Sequence, residues 1–92
     1  MNDDEILKLA SYIGISKYRL NVVNAFDDDM GVKIPTQIAK DSKIRPNHIS
    51  KVLRELKDKG IVICLNEDAR KGRLYRLTPL GVVVRSVCNE LF

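Results

Sequence analysis

The sequence predicts a mainly helical α/β fold: a three-helix core, a two- to three-stranded β-hairpin and one further helix at each end. Three observations lead there. Residues 34–60 hold two short helical patterns split by a tight break, and the second pattern is basic on its non-core side. Residues 61–77 hold two short β-rich runs joined by a loop carrying Arg70-Lys71-Gly72-Arg73. The segments near 3–14 and 79–92 repeat apolar residues at helical spacing.

Ninety-two residues support one modest core, so residues 1–92 form a single domain, with its centre at about 16–81. The net charge of +4 conceals a gradient. Residues 1–31 carry three bases against six acids, and residues 32–92 carry thirteen against six. That asymmetry points to one face suited to a polyanion. No apolar run reaches the ~18 residues of a membrane span. The acidic start, Met1-Asn-Asp-Asp-Glu, has the wrong charge for a secretory or transit peptide. Cys64 and Cys88 match no metal or redox spacing, so the expectation is a cytoplasmic protein with reduced thiols.

The elements follow in order. Asp3-Asp4-Glu5 suits a helix start, and Ile6, Leu9, Ala10 and Ile13 recur at helical spacing up to Gly14. Ser16 is an N-cap for a second helix, in which Tyr18, Val22, Ala25 and Phe26 share a face. Asp27-Asp28-Asp29 and Gly31 end it, because acids oppose the negative end of the helix dipole, and the acid run reads as a solvated loop. Val32-Lys33-Ile34 alternates as a short strand. Pro35 and Pro46 each fit a first helical position, where no backbone donor is needed. Ile38 and Ala39 point inward from the first of these helices, which stops near Ser42. Ile49, Val52, Leu53 and Leu56 form the stripe of the second, closed by Gly60. Ile61–Leu65 and Leu74–Leu77 pair as antiparallel strands around the long link Asn66–Gly72. Thr78-Pro79 starts the last helix, with Leu80, Val83, Val84, Val87, Cys88 and Leu91 at helical spacing and Val82 and Phe92 off that stripe.

Three segments of this text resemble winged helix-turn-helix transcriptional regulators, particularly the MarR-like and ArsR-like groups and their short archaeal relatives. They are Ile38-Ala39, then His48-Ile-Ser-Lys-Val-Leu-Arg-Glu-Leu-Lys-Asp-Lys-Gly-Ile-Val62, then Asp68-Ala-Arg-Lys-Gly-Arg-Leu-Tyr-Arg-Leu-Thr-Pro-Leu-Gly81. The last is similar to the D-x-R … L-T-x-x-G of MarR-like wings. The resemblance implies that the helix at about 46–59 enters the major groove of duplex DNA. It also implies that the wing at about 66–73 meets the minor groove or backbone, with Asp68 orienting Arg70. Where that family's inter-helix turn often carries Gly, this chain has Lys43, and Arg45 stands where a small capping residue is usual.

Helix geometry arrives at the same residues independently. With Ile49, Val52, Leu53 and Leu56 inward, Asn47, Ser50, Lys51 and Arg54 fall outward and His48 on the flank. Asn47, His48, Ser50 and Lys51 are the candidates for base or near-base contacts. Arg45, Arg54, Arg70, Lys71 and Arg73 are the candidates for phosphates and the minor groove. Double-stranded DNA is the expected partner, and the expected assembly is a homodimer through the helices at 3–14 and 79–92. The competing reading is a winged-helix protein-interaction module without DNA binding. No nucleophile motif, paired acid/base set or Gly-rich phosphate loop is present, and His48 has no cluster to complete a metal site. The expectation is therefore neither an enzyme nor a cofactor protein, and the sequence identifies no small-molecule effector.

Overall fold

A computed structural model describes residues 3–26 and 29–92. Among them lie α1 (Asp3–Gly14), α2 (Lys17–Ala25), α3 (Pro35–Ser42), α4 (Pro46–Asp58), β1 (Val62–Cys64), β2 (Tyr75–Leu77) and α5 (Pro79–Leu91). Local chemistry sets the ends. Asp3, Asp4 and Glu5 sit in the first turn of α1, where the helix dipole favours anions. The Ser16 hydroxyl accepts from the Arg19 N–H at 3.2 Å and caps α2. Prolines open α3, α4 and α5. Thr78 caps α5 by accepting from the Gly81 N–H at 2.9 Å, while its own hydroxyl donates to the Gly60 carbonyl at 2.6 Å. One side chain thus ties the start of α5 to the end of α4.

The core is assembled from all five helices and the hairpin. Phe26, Ile38, Ile49, Leu53, Leu56, Ile61 and Val84 are fully buried. Each such side chain contributes roughly 1.5–3 kcal/mol through the apolar area it removes from water. α2 packs on α3 and α4, and α1 lies along α5. Those two terminal helices run in the same direction, since the Cys88 thiol points at the Ala10 carbonyl and the Phe92 ring covers Gly14. Burial pushes the Cys88 thiol above its ordinary pKa, which keeps it neutral and unreactive.

β1 and β2 pair antiparallel, with Val62 opposite Leu77, Ile63 opposite Arg76 and Cys64 opposite Tyr75. The strand expected at residues 32–34 contracts to a single bridge, in which Lys33 and Tyr75 exchange two 2.9 Å hydrogen bonds. Pro35 has no N–H and already begins α3, so the ladder has nowhere to continue. The Lys33 ammonium turns inward to the Ala25 carbonyl at 2.5 Å and to Asp41 at 2.6 Å, joining α2 to α3.

Three expectations need correction. Tyr18 does not share the core face of Val22, Ala25 and Phe26; it is 46% exposed, because the first turn of α2 reaches past the core to the flank of α4. The apolar stripe of α5 is split. Gly81, Val84 and Cys88 are buried and Val82 packs against the core, while Val83 and Leu91 face out with Phe92. Of the acid run after α2, Asp27 and Asp28 lie outside the described residues, and Asp29 is paired with Arg85, which also donates to the Phe26 carbonyl.

Gly81 is required by close approach. A Cβ there would overlap the Ile61 carbonyl oxygen, which belongs to backbone and cannot swing aside. Gly81→Ala is expected to destabilise the fold by about 1–3 kcal/mol through overpacking, read as a lowered denaturant midpoint; an unchanged midpoint would refute the contact. The hydrogen bond from Lys33 holds the Asp41 carboxyl below its ordinary pKa. Its folded value lies below its unfolded one, so the contribution is present above the ordinary carboxylate range and lost as pH falls through the folded value. Asp41→Asn should therefore melt below the native protein at neutral pH and converge with it in strong acid, which paired thermal scans would show.

Candidate nucleic-acid interface

α3 and α4 are joined by a turn whose geometry rests on Lys43. This residue takes φ 59° and ψ 35°, the left-handed conformation that usually selects glycine, and its N–H reaches the carbonyls of Ala39 and Lys40. Beneath it Ser42 is buried and donates to the Ile38 carbonyl at 2.6 Å. The departures from the common turn text therefore leave the turn itself intact. Arg45 occupies the N-cap of α4 without a side-chain capping bond, in extended conformation, and its carbonyl accepts from the His48 N–H at 2.9 Å.

α4 sorts its side chains by angle. Ile49, Val52, Leu53 and Leu56 are buried. At 100° per residue, Asn47, Lys51, Arg54 and Asp58 then form the stripe pointing directly away from the core, and all four are exposed. Ser50 and Lys57 occupy one flank, turned toward the wing. His48, Glu55 and Lys59 occupy the other, turned toward α2 and the end of α1. There the Tyr18 ring meets His48, Arg19 pairs with Glu55 at 3.3 Å, and Arg19 and Lys59 lie over the Tyr12 ring at 3.8 and 5.0 Å. The side chains of Asn47, Ser50, Lys51, Arg54 and Arg45 have no partner among the described residues, so their donors and acceptors are free for a ligand.

The wing is braced from within. Asn66 accepts from the Leu74 N–H at 2.7 Å and donates to the Gly72 carbonyl at 3.2 Å. Arg73 donates to the carbonyls of Ala69 and Glu67, both at 2.9 Å. Gly72 takes φ 66° at the return of the loop. Arg73 is thus largely committed to holding the loop, while Arg70 and Lys71 are exposed at its tip. Asp68 and Arg70 form no ion pair among the described residues, which corrects the expected orientation of Arg70. The acid that acts is Glu67, paired with Lys57 across the junction of wing and α4. That hydrogen bond raises the Lys57 pKa and lowers that of Glu67. Both groups are exposed, so water screens much of the attraction and the pair orients more than it stabilises.

Between α4 and the wing runs a groove of about 650 Å³. Leu53 and Tyr75 form its floor; Ser50, Arg54 and Lys57 line one wall and Arg70, Lys71 and Arg73 the other. The first residues of α3 close one end. Five cations around a concave surface concentrate positive potential there. Sequence reasoning missed three residues of this region. Lys57 lies three positions beyond Arg54 and was detectable by that spacing, whereas Asn66 and Tyr18 act through loop and interhelix geometry that no local pattern records. Among the described residues no group of three or more His, Cys, Asp or Glu side chains could hold a metal ion, and no helix is long and apolar enough to cross a membrane.

The architecture matches a solved structure of TubR, a protein of type III plasmid segregation. The TM-score is 0.73 at 20% identity, over 99% of this chain and 87% of that one. The fold is a winged helix-turn-helix. At this identity the likeness concerns architecture alone. No protein-family model and no curated protein matches the sequence.

In this winged helix the stiffness of the wing depends on Asn66. Asn66→Ala is expected to cost roughly 0.5–1.5 kcal/mol and to speed hydrogen exchange at the Leu74 amide relative to Leu77 in the same hairpin. Unchanged exchange at Leu74 would show that the loop holds itself without Asn66.

Proposed function

We propose that this protein binds double-stranded DNA sequence-specifically and regulates transcription. α4 enters the major groove, and the wing contacts the adjacent minor groove or backbone. The observation that carries the reading is the unpaired outward stripe of α4, Asn47, Lys51 and Arg54, running into the basic groove bounded by Arg70 and Lys71. An α-helix fills the width of the major groove, and the strand of phosphates beside it falls where those cations stand. Asn47, His48, Ser50 and Lys51 read bases. Arg45, Arg54, Lys57, Arg70 and Lys71 hold phosphates, and Arg73 stiffens the loop that presents its neighbours. The reading involves no catalytic step and no cofactor. The wing text Asp68-x-Arg70 and Leu77-Thr78-x-x-Gly81 supports placement beside the MarR-like and ArsR-like regulators and their short archaeal relatives.

The assembly in this proposal is a homodimer. Val83, Leu91 and Phe92 are exposed on and beside α5, at 46, 57 and 59%, on a helix whose charged residues are Arg85 and Glu90. Arg85 is already held by Asp29 and the Phe26 carbonyl, and Glu90 leaves one exposed acid beside Val83. A second copy would cover these apolar side chains and set two recognition helices about one turn of duplex apart, ~34–36 Å.

The likeness to a plasmid-segregation protein supports a second reading, in which the bound duplex is a partition site rather than a promoter. Deleting the gene separates the two: altered transcripts beside the bound sites favour the regulator, and loss of a resident plasmid favours segregation.

Selection from a random duplex pool is expected to return a defined sequence, with two half-sites if the protein is dimeric. Lys51→Ala with Arg54→Ala should weaken binding by roughly 1–3 kcal/mol per residue. It should also flatten the salt dependence by about 0.9 for each phosphate that is no longer neutralised. A folded double mutant that binds as tightly as the native protein would overturn the proposal, and failure to retard any duplex at low salt would favour a protein-interaction module. Val83→Asp with Leu91→Asp should convert a sedimenting dimer to a folded monomer; native protein that sediments as a monomer at high concentration would remove the dimer.

A further inference from the structure

Tyr18 makes a contact that neither the core nor the outward stripe of α4 requires. It stands in the first turn of α2, and its ring centroid lies 5.2 Å from that of His48, with the planes tilted by 41°. Aromatic rings attract at this separation and tilt. At 46% exposure Tyr18 adds little to the core, which α2 already serves through Val22, Val23 and Ala25. Its hydroxyl has no partner among the described residues. His48 is half-buried in the first turn of α4, beside Asn47, and its backbone N–H is already taken by the Arg45 carbonyl. No side-chain cap steadies that turn. The ring of Tyr18 is the aromatic neighbour of the imidazole among the described residues.

We propose that Tyr18 is a positioning residue for base recognition: it restrains His48 so that the imidazole edge meets a base in the major groove, on the flank of α4 opposite the wing. This rests on α4 being the recognition helix. A neutral imidazole offers one donor and one acceptor, and a charged one offers two donors. Either form can pair with the purine edge exposed in the major groove, N7 with O6 of guanine or N7 with the N6 amine of adenine. A ring already restrained loses less rotamer freedom on binding, so the restraint appears as affinity for one base and not as general attraction to DNA.

The test compares the native protein with Tyr18→Phe, Tyr18→Leu, Tyr18→Gln, His48→Ala and Tyr18→Leu/His48→Ala. The probes are the duplex recovered by selection and a scrambled duplex of equal length, and thermal midpoints establish folding. Both ring-deleted variants should bind the selected duplex roughly 2- to 12-fold more weakly and the scrambled duplex unchanged. Tyr18→Phe should retain native affinity, because the ring and not the hydroxyl acts. The double variant should bind no more weakly than His48→Ala alone. The proposal is overturned if ring deletion leaves the selected duplex unaffected, weakens both duplexes equally, or multiplies with the loss from His48→Ala. Native protein that discriminates between no duplexes overturns the functional reading and this inference together; discrimination that ring deletion leaves undiminished overturns the inference alone.

Discussion

The arrangement depends on one constraint, the burial of Ile49, Val52, Leu53 and Leu56 on a single side of α4. Those four side chains fix the rotation of the helix about its axis, and helix periodicity then fixes the direction of every other residue on it. A rotation of one residue would swing the outward stripe through 100° and bury a charged group with no partner. The polar face of α4 is therefore held by hydrophobic packing far more than by any polar bond of its own. Consistent with this, its N-terminus has no side-chain cap, and its outward side chains have no partners among the described residues.

The wing is positioned by a different kind of force. Its two strands are three residues each, too short to fix the loop through ladder bonds alone. Asn66 and Arg73 replace the missing ladder with side-chain bonds to loop backbone, and Lys57–Glu67 joins the loop to α4. Polar bonds at a surface are individually weak, but several acting on one short loop cut the number of shapes it can take. The basic tip at Arg70 and Lys71 gains a defined location relative to α4 without itself being tied down. In the proposed complex that location sets where the second contact falls.

The terminal helices close the core from the side and leave an apolar edge. α1 and α5 lie in the same direction, and the exposed Phe92 ring rests over Gly14. Val84 and Cys88 are consumed by this packing, and Val83, Leu91 and Phe92 remain outside. Of the two residues off the expected stripe, Val82 packs against the core and Phe92 stays exposed.

Periodicity and end chemistry in the sequence determined the elements. Ser16, Pro35, Pro46, Gly60 and Thr78 mark helix boundaries through backbone needs that are local, and the stripe of α4 follows from spacing alone. The same local logic identified Asn47, Lys51 and Arg54 as outward, because one helix suffices to define its own two faces, whereas Ser50, expected outward as well, falls on the flank turned toward the wing. Only the tertiary structure decided what lies between elements. It gave Lys33 to Tyr75 and Asp41, Lys57 to Glu67 instead of leaving Asp68 to Arg70, Asn66 to the wing backbone, and Tyr18 to His48. Each of these pairs joins residues whose separation in sequence carries no period. Their partners are chosen by how helices pack and where loops return, which is settled only when the whole core forms.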